Sequence, residues 1–210
     1  MARFVLLVLV ALHAPAAVAA ERVCAPTSMV KLVTRLDAPG LAPNHVSRAA
    51  RTLYRYGRRM GRSEEVHLLR VVAMPNVWTV DRTARTGTHA KDPGPTYVLH
   101  LPVFGDPGIR SERVKSLELG CELEWLEAAQ ATRTKVEHPT LGKVERLEYR
   151  EGDEAVHLYV RSHRPLRIEL HRGGQLVQGV SYLQYNTDLP FRGPLFEKPP
   201  GVDFSAAGGG

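Results

Sequence analysis

The stretch GKVERLEYREGDEAVHLYVRSHRPLRIELHRGGQLVQGVSYLQYN, residues 142–186, decides the fold. In 155–161, Val156, Leu158 and Val160 alternate with His157, Tyr159 and Arg161, and 165–171 repeats the pattern with Leu166, Ile168 and Leu170 against Arg167, Glu169 and His171. An apolar side chain at every second position gives a strand with one dry and one wet face. Turn-forming clusters at 150–154, 163–165 and 172–174 leave connections too short for anything but an antiparallel meander. The dry face then needs a cover.

Upstream, residues 43–60 read PNHVSRAARTLYRYGRRM. Val46, Ala49, Ala50, Leu53, Gly57 and Met60 recur at spacings of three and four behind Asn44, which predicts an amphipathic helix lying on the sheet. Its other side carries Arg48, Arg51, Arg55, Arg58 and Arg59, a face suited to an anionic membrane surface or an acidic envelope protein. Residues 64–73, with Val72, and 96–104, with Leu99 and Leu101, are apolar on both parities, as strands covered on both sides are. NVWTVDR at 76–82 reads as a short strand holding Trp78, and 132–137 begins another. From Leu117 to Trp125 apolar residues alternate with Glu118, Glu122 and Glu124, predicting a strand with a wet acidic face. Gln175–Tyr185, which includes Tyr182, is again apolar on both parities. The expected fold is mainly β with one main N-terminal helix: a curled antiparallel sheet, an unclosed half-barrel with a helical lid.

The chain opens MARFVLLVLVALHAPAAVAA, with an early arginine, a short apolar run and a small-residue end that fit a signal peptide over 1–20. The expected organisation continues with an N-terminal leader at 21–42, a single domain at 43–204 and a disordered glycine-rich tail at 205–210. The expected location is the periplasm or the exterior, free of the membrane once the signal is removed. Two cysteines follow the signal. Either Cys24 and Cys121 form a bridge that pins the N-terminus to the middle of the sheet, or Cys121 is a small buried side chain and Cys24 lies in a loose leader. The net charge of +6 is uneven, since residues 21–62 hold nine Lys/Arg against two acids and the rest of the mature chain is near balance. With export, that distribution argues against a nucleic-acid partner.

Chemistry-bearing patterns are sparse. No serine sits in a G-x-S-x-G elbow, and an exported cysteine nucleophile would have to stay reduced. Nine histidines are present without H-E-x-x-H spacing. By parity His157 and His171 share the polar side of their strands, where His163 or Glu169 can join them; their convergence would point to a histidine-based metal-dependent enzyme. Glu118, Glu122 and Glu124 have a spacing suited to paired carboxylates, but no sugar-stacking aromatics accompany them. The expectation is a non-enzymatic chain with no cofactor and no metal.

The order of elements, the NVWTVD strand (76–81) and the ending NTDLPFRGPLFEKPPGVDF (186–204) resemble the periplasmic lipoprotein-carrier family, the outer-membrane lipoprotein-sorting proteins. The resemblance implies an unclosed antiparallel barrel around an apolar cavity, lidded by helices, that holds acyl chains. It places Trp78, Leu99, Leu101, Leu158, Val160 and Tyr182 at the cavity or core, beside Val72 from the two-sided strand. The function expected is carriage of a lipid, acyl chain or lipidated protein by a monomer. The alternative is a structural or protein-interaction module of the cell envelope whose core is filled by its own side chains.

Overall fold

The computed structural model describes residues 24–91 and 98–204. The expected signal peptide at 1–20 and tail at 205–210 lie outside the described residues. Among the described residues eleven strands form one antiparallel sheet: β1 (Met29–Asp37), β2 (Arg51–Tyr56), β3 (Met60–Glu64), β4 (Leu68–Ala73), β5 (Asn76–Asp81), β6 (Thr86–Lys91), β7 (Thr132–His138), β8 (Gly142–Glu151), β9 (Glu154–Arg161), β10 (Arg164–Arg172) and β11 (Gln175–Leu189). Two short helices, α1 (Glu112–Lys115) and α2 (Glu122–Ala128), lie between β6 and β7. The strand order is β6-β5-β4-β3-β2-β1-β11-β10-β9-β8-β7. Two meanders therefore meet where β1 pairs with β11, and β1, from the stretch assigned to the leader, is the central strand.

Two expectations about the fold are overturned. The sheet is open, with β6 and β7 as separate edges, so it is not the curled half-barrel inferred from its length. There is also no N-terminal helix at 43–60. Val46–Arg48 makes a 3-10 turn, and 51–64 is the β2–β3 hairpin, which turns at Gly57 with φ 58°. The helical spacing of apolar residues was misleading because Arg55 occupies an inward position of β2 beside Leu53, which hides the period of two. The predicted 64–73 strand shrinks to β4, with Glu64 ending β3 and a turn between them, and the acidic strand expected from Leu117 to Trp125 is replaced by an isolated bridge at Glu118, a turn and α2.

The register separates the two faces. Side chains paired across an antiparallel sheet share a face, and the next row points the other way. Leu36, Val180, Ile168, Leu158 and Leu147 pair in sequence across β1, β11, β10, β9 and β8. The row beside it is Asp37, Gly179, Glu169, His157 and Glu148. The apolar row belongs to the main core, which is closed by Val103, Phe104, Ile109, Val114, Leu117, Leu119 and Leu126 from the segment that carries both helices. Ser111 caps α1 by accepting the Val114 N–H. Across the sheet at its β4–β5 end, Leu69, Val71, Trp78 and Val80 form a second cluster against Val202 and Phe204 of the C-terminal segment. That explains the two-sided apolarity of 68–73, whose opposite faces meet different covers. At Gly61 the covering segment comes so close that a Cβ would stand 2.5 Å from a Leu99 methyl carbon.

Cys24 and Cys121 are bonded across 97 residues of sequence. The bridge joins the chain just ahead of β1 to the residue that precedes α2, and so ties the helical cover to the start of the sheet. Beside it, Arg55 Nη1 lies 2.5 Å from Glu118 Oε2, and both side chains are almost wholly buried. The same guanidinium donates to the carbonyls of Cys24, Leu99 and Leu119, joining the bridge, the cover and β2.

Glu122 opens α2 with no exposed surface. Its Oε1 accepts the Tyr182 hydroxyl at 2.7 Å and the Gly120 N–H at 3.0 Å, and its Oε2 accepts the Tyr185 hydroxyl at 2.8 Å. Burial pushes its pKa up, against the opposing pull of those donors. A carboxyl raised in the folded state stabilises fully below its unfolded pKa of about 4.5 and loses that contribution as pH rises through the folded value. Glu122→Gln is therefore expected to be more stable relative to wild type at pH 8 than at pH 5. Urea unfolding of both proteins at both pH values measures this, and comparing the two cancels the opposite contribution of His157. An unchanged difference between pH 5 and pH 8 would mean that Glu122 does not titrate as described.

Candidate functional site

Two places on the described residues have the makings of a site, and the row pattern puts them on opposite faces of the sheet. The first is a groove of about 540 Å³ on the covered face, where β1–β4 and β11 are left open beside the covering segment. Leu36, Leu53, Leu101, Val103 and Val180 form its apolar floor and walls. Val46, Val66 and Leu68 stand at its rim, exposed by 57%, 50% and 40%. Polar groups are interleaved with them: Arg51, which lies 3.8 Å from Glu65, His100, whose Nδ1 lies 3.1 Å from Glu118, and Gln178, whose Oε1 accepts the Gly105 N–H.

The expected cavity residues are spread over several surroundings. Leu101 lines this groove. Val72, Leu99 and Leu101 surround a gap of about 10 Å³ next to Gly61. Leu158, Val160 and Tyr182 lie in the main core, and Trp78 lies in the second cluster with its ring stacked on His89. The arginines expected on one helix face are also dispersed, because β2 and its flanks send them in different directions. Arg48 donates to the Ala38 and Leu41 carbonyls, Arg51 borders the groove, Arg55 is buried, and Arg58 and Arg59 are exposed on the β2–β3 turn.

The second place is on the polar row. Glu148 and Glu169 flank His157 on β8 and β10, and His171 lies two rows along β10, on the same face. The His157 and His171 rings have centroids 4.4 Å apart. One ligand-type atom from each of His157, Glu169 and His171 lies within 4.8 Å of the other two. Glu169 is held tightly: Arg167 Nε donates to Oε1 at 2.6 Å, the Tyr159 hydroxyl donates to Oε2 at 3.1 Å, and His171 Nε2 lies 2.9 Å from Oε2. Burial alone would raise its pKa, but His171 and Arg167 hold it down at about 2. Burial, reinforced by His171, lowers His157 to about 4 against the pull of Glu148, so its ring is neutral at pH 7. Burial and Glu169 push Tyr159 up to about 12.

This cluster argues against the firm expectation of a non-enzymatic chain and falls where the histidine alternative required it. Two imidazoles and a fixed carboxylate on one face can hold a metal ion or pass a proton. Parity had put His157 and His171 on the same side; what it could not supply was the strand register that sets Glu148 and Glu169 beside His157. His163 does not join them: it occupies the β9–β10 turn with φ 61° and is exposed.

Fold and sites together define an open antiparallel sheet protein with a disulfide-anchored cover, a groove on one face and a histidine–carboxylate cluster on the other. No family model matches the chain, and no curated protein matches it. Among solved structures it is similar to an uncharacterized conserved protein from Thermus thermophilus, at 12% identity and a TM-score of 0.44, over 85% of this chain and 90% of that one. It is also similar to a chain in the Pseudomonas aeruginosa MucA/MucB complex, at 12% identity and a TM-score of 0.41, over 84% of this chain and 58% of that one. A structure of MucB in complex with MucA(peri) matches at 12% identity and a TM-score of 0.35, over 84% of this chain and 56% of that one. The chain thus spans little more than half the length of the latter two, and likeness at this level carries no inference about function.

Proposed function

We propose that this chain is a protein-interaction module of the cell envelope that receives an apolar, extended segment of another polypeptide in the groove between β1–β4 and the covering segment. The observation that carries this reading is the mixed lining of the groove. Leu36, Leu53, Val66, Leu68 and Leu101 offer apolar surface between the polar groups of Arg51, Glu65, His100 and Gln178. An acyl chain buried there would strip water from whatever hydrogen-bonding capacity those groups keep beyond their protein partners, which costs free energy. A polypeptide brings donors and acceptors along with its apolar side chains. The Cys24–Cys121 bridge suits an oxidising compartment outside the cytoplasm. No helix of the described residues is long and apolar enough to cross a membrane.

Fluorescence polarisation against a panel of labelled apolar ten-residue peptides, with palmitate in a parallel titration, tests the reading. Peptides rich in branched apolar residues are expected to bind, and Val66→Asp together with Leu68→Asp is expected to weaken them at least about tenfold. Burying each rim side chain is worth about 1.5–3 kcal/mol, and an aspartate forfeits it. Both residues are exposed at the rim, so folding is expected to survive the change. Binding of palmitate with no peptide binding would contradict the proposal and favour a lipid carrier, as would peptide affinities that ignore the two aspartates.

A further inference from the structure

We propose that His157, Glu169 and His171 form a binding site for a divalent transition-metal cation of the zinc class, with water completing the shell. The site lies on the opposite face from the groove and does not depend on the groove's occupant. The separations, up to 4.8 Å among His157, Glu169 and His171, exceed the roughly 3.4 Å between ligands set tetrahedrally at about 2.0–2.2 Å from a metal, so ion binding requires side-chain rotation to draw them together. The telling feature is His157. Only 8% exposed, it makes no hydrogen bond through either ring nitrogen, although Glu148 Oε2 lies 3.4 Å from its Nε2.

A buried imidazole without a partner is a cost that native structures rarely carry, and a metal ion on one nitrogen would remove it. Glu169 is prepared for the role, since Arg167 fixes Oε1 and so orients Oε2 toward His171 and Tyr159. Outer hydrogen bonds of this kind commonly support metal-ligating carboxylates. Glu148 stays outside the set, its Oε2 paired with Arg146 at 2.9 Å and standing 3.4 Å from His157 Nε2. Two imidazoles with a carboxylate oxygen suit zinc and its neighbours, whereas calcium and magnesium favour shells of oxygen alone.

The test is calorimetric titration of zinc chloride into the purified chain, with cobalt(II) as a spectroscopic substitute. One equivalent is expected to bind, and cobalt(II) is expected to show the visible absorption of a four-coordinate ion. His171→Gln, at a partly exposed position, is expected to weaken binding at least about tenfold, while His163→Gln leaves it unchanged. In wild-type protein, zinc is expected to shift the ring NMR signals of His157 and His171 and to leave that of His163 in place, a readout that requires no variant to fold. Absence of stoichiometric binding, equal binding by a folded His171→Gln protein, or ring shifts confined to other histidines would each overturn the proposal.

Discussion

Replacing Cys24 and Cys121 with serine is expected to lower the unfolding free energy by about 4–5 kcal/mol. The bond closes a loop of 97 residues that contains β1 to β6 and the covering segment up to α2. Without it the unfolded chain gains the freedom of that whole loop. The native chain also loses the tie between the start of the sheet and its cover. Urea unfolding of the oxidised wild type and the double serine variant measures the difference through the midpoint. A loss under about 1 kcal/mol would show that the cover is held by its apolar contacts alone and that the bridge adds little.

Arg55→Ala is expected to cost about 3–5 kcal/mol, because it leaves Glu118 buried without its counter-charge. Three carbonyls would also lose their donor, those of Cys24, Leu99 and Leu119. Replacing both partners, as Arg55→Met with Glu118→Leu, is expected to cost much less, since neither an isolated charge nor a large void remains. Thermal and urea unfolding of the single and double variants separates the two outcomes. If the double variant is as unstable as Arg55→Ala, the carbonyl contacts dominate over the ion pair. Arg55 and the disulfide share the Cys24 carbonyl, so their losses are expected not to add.

Most of the second half of the sheet was legible in the sequence. The alternation in 155–161 and 165–171 survives as β9 and β10, with the apolar parity in the main core and the polar parity on the other face. The misreadings have specific physical causes. In β2 the inward Arg55 stands where an apolar residue would have revealed a strand, while Thr52, Tyr54 and Tyr56, a β-branched and aromatic set, were the available signal. The alternation from Leu117 to Trp125 is broken by Gly120 at φ 91°, after which burial follows a helical spacing through Glu122 and Leu126. Glu118 and Glu122, read as a wet face, are buried because Arg55 neutralises one and two tyrosines and a backbone N–H receive the other. Only tertiary partners make such burial tolerable, and a single sequence does not display them.

The histidine cluster was half visible for the same reason. Parity within a strand is local and was readable, whereas the register between β8, β9 and β10 depends on turns and bulges, including the shift between Pro165 and Arg167. The groove was visible only through Leu101, because much of its wall comes from residues 46–53 and from Ser63 of β3, which the sequence reading had placed in a helix and just past its end.

Mapping where an apolar peptide settles tests the central claim most directly. Methyl NMR of the protein, titrated with the tightest peptide of the panel, is expected to shift Leu36, Leu53, Val66, Leu68, Leu101 and Val103 while Leu158 and Ile168 stay still. Shifts confined to the β6 or β7 edge, or groove methyls that respond to palmitate and to no peptide, would contradict the assignment of this face to a polypeptide partner.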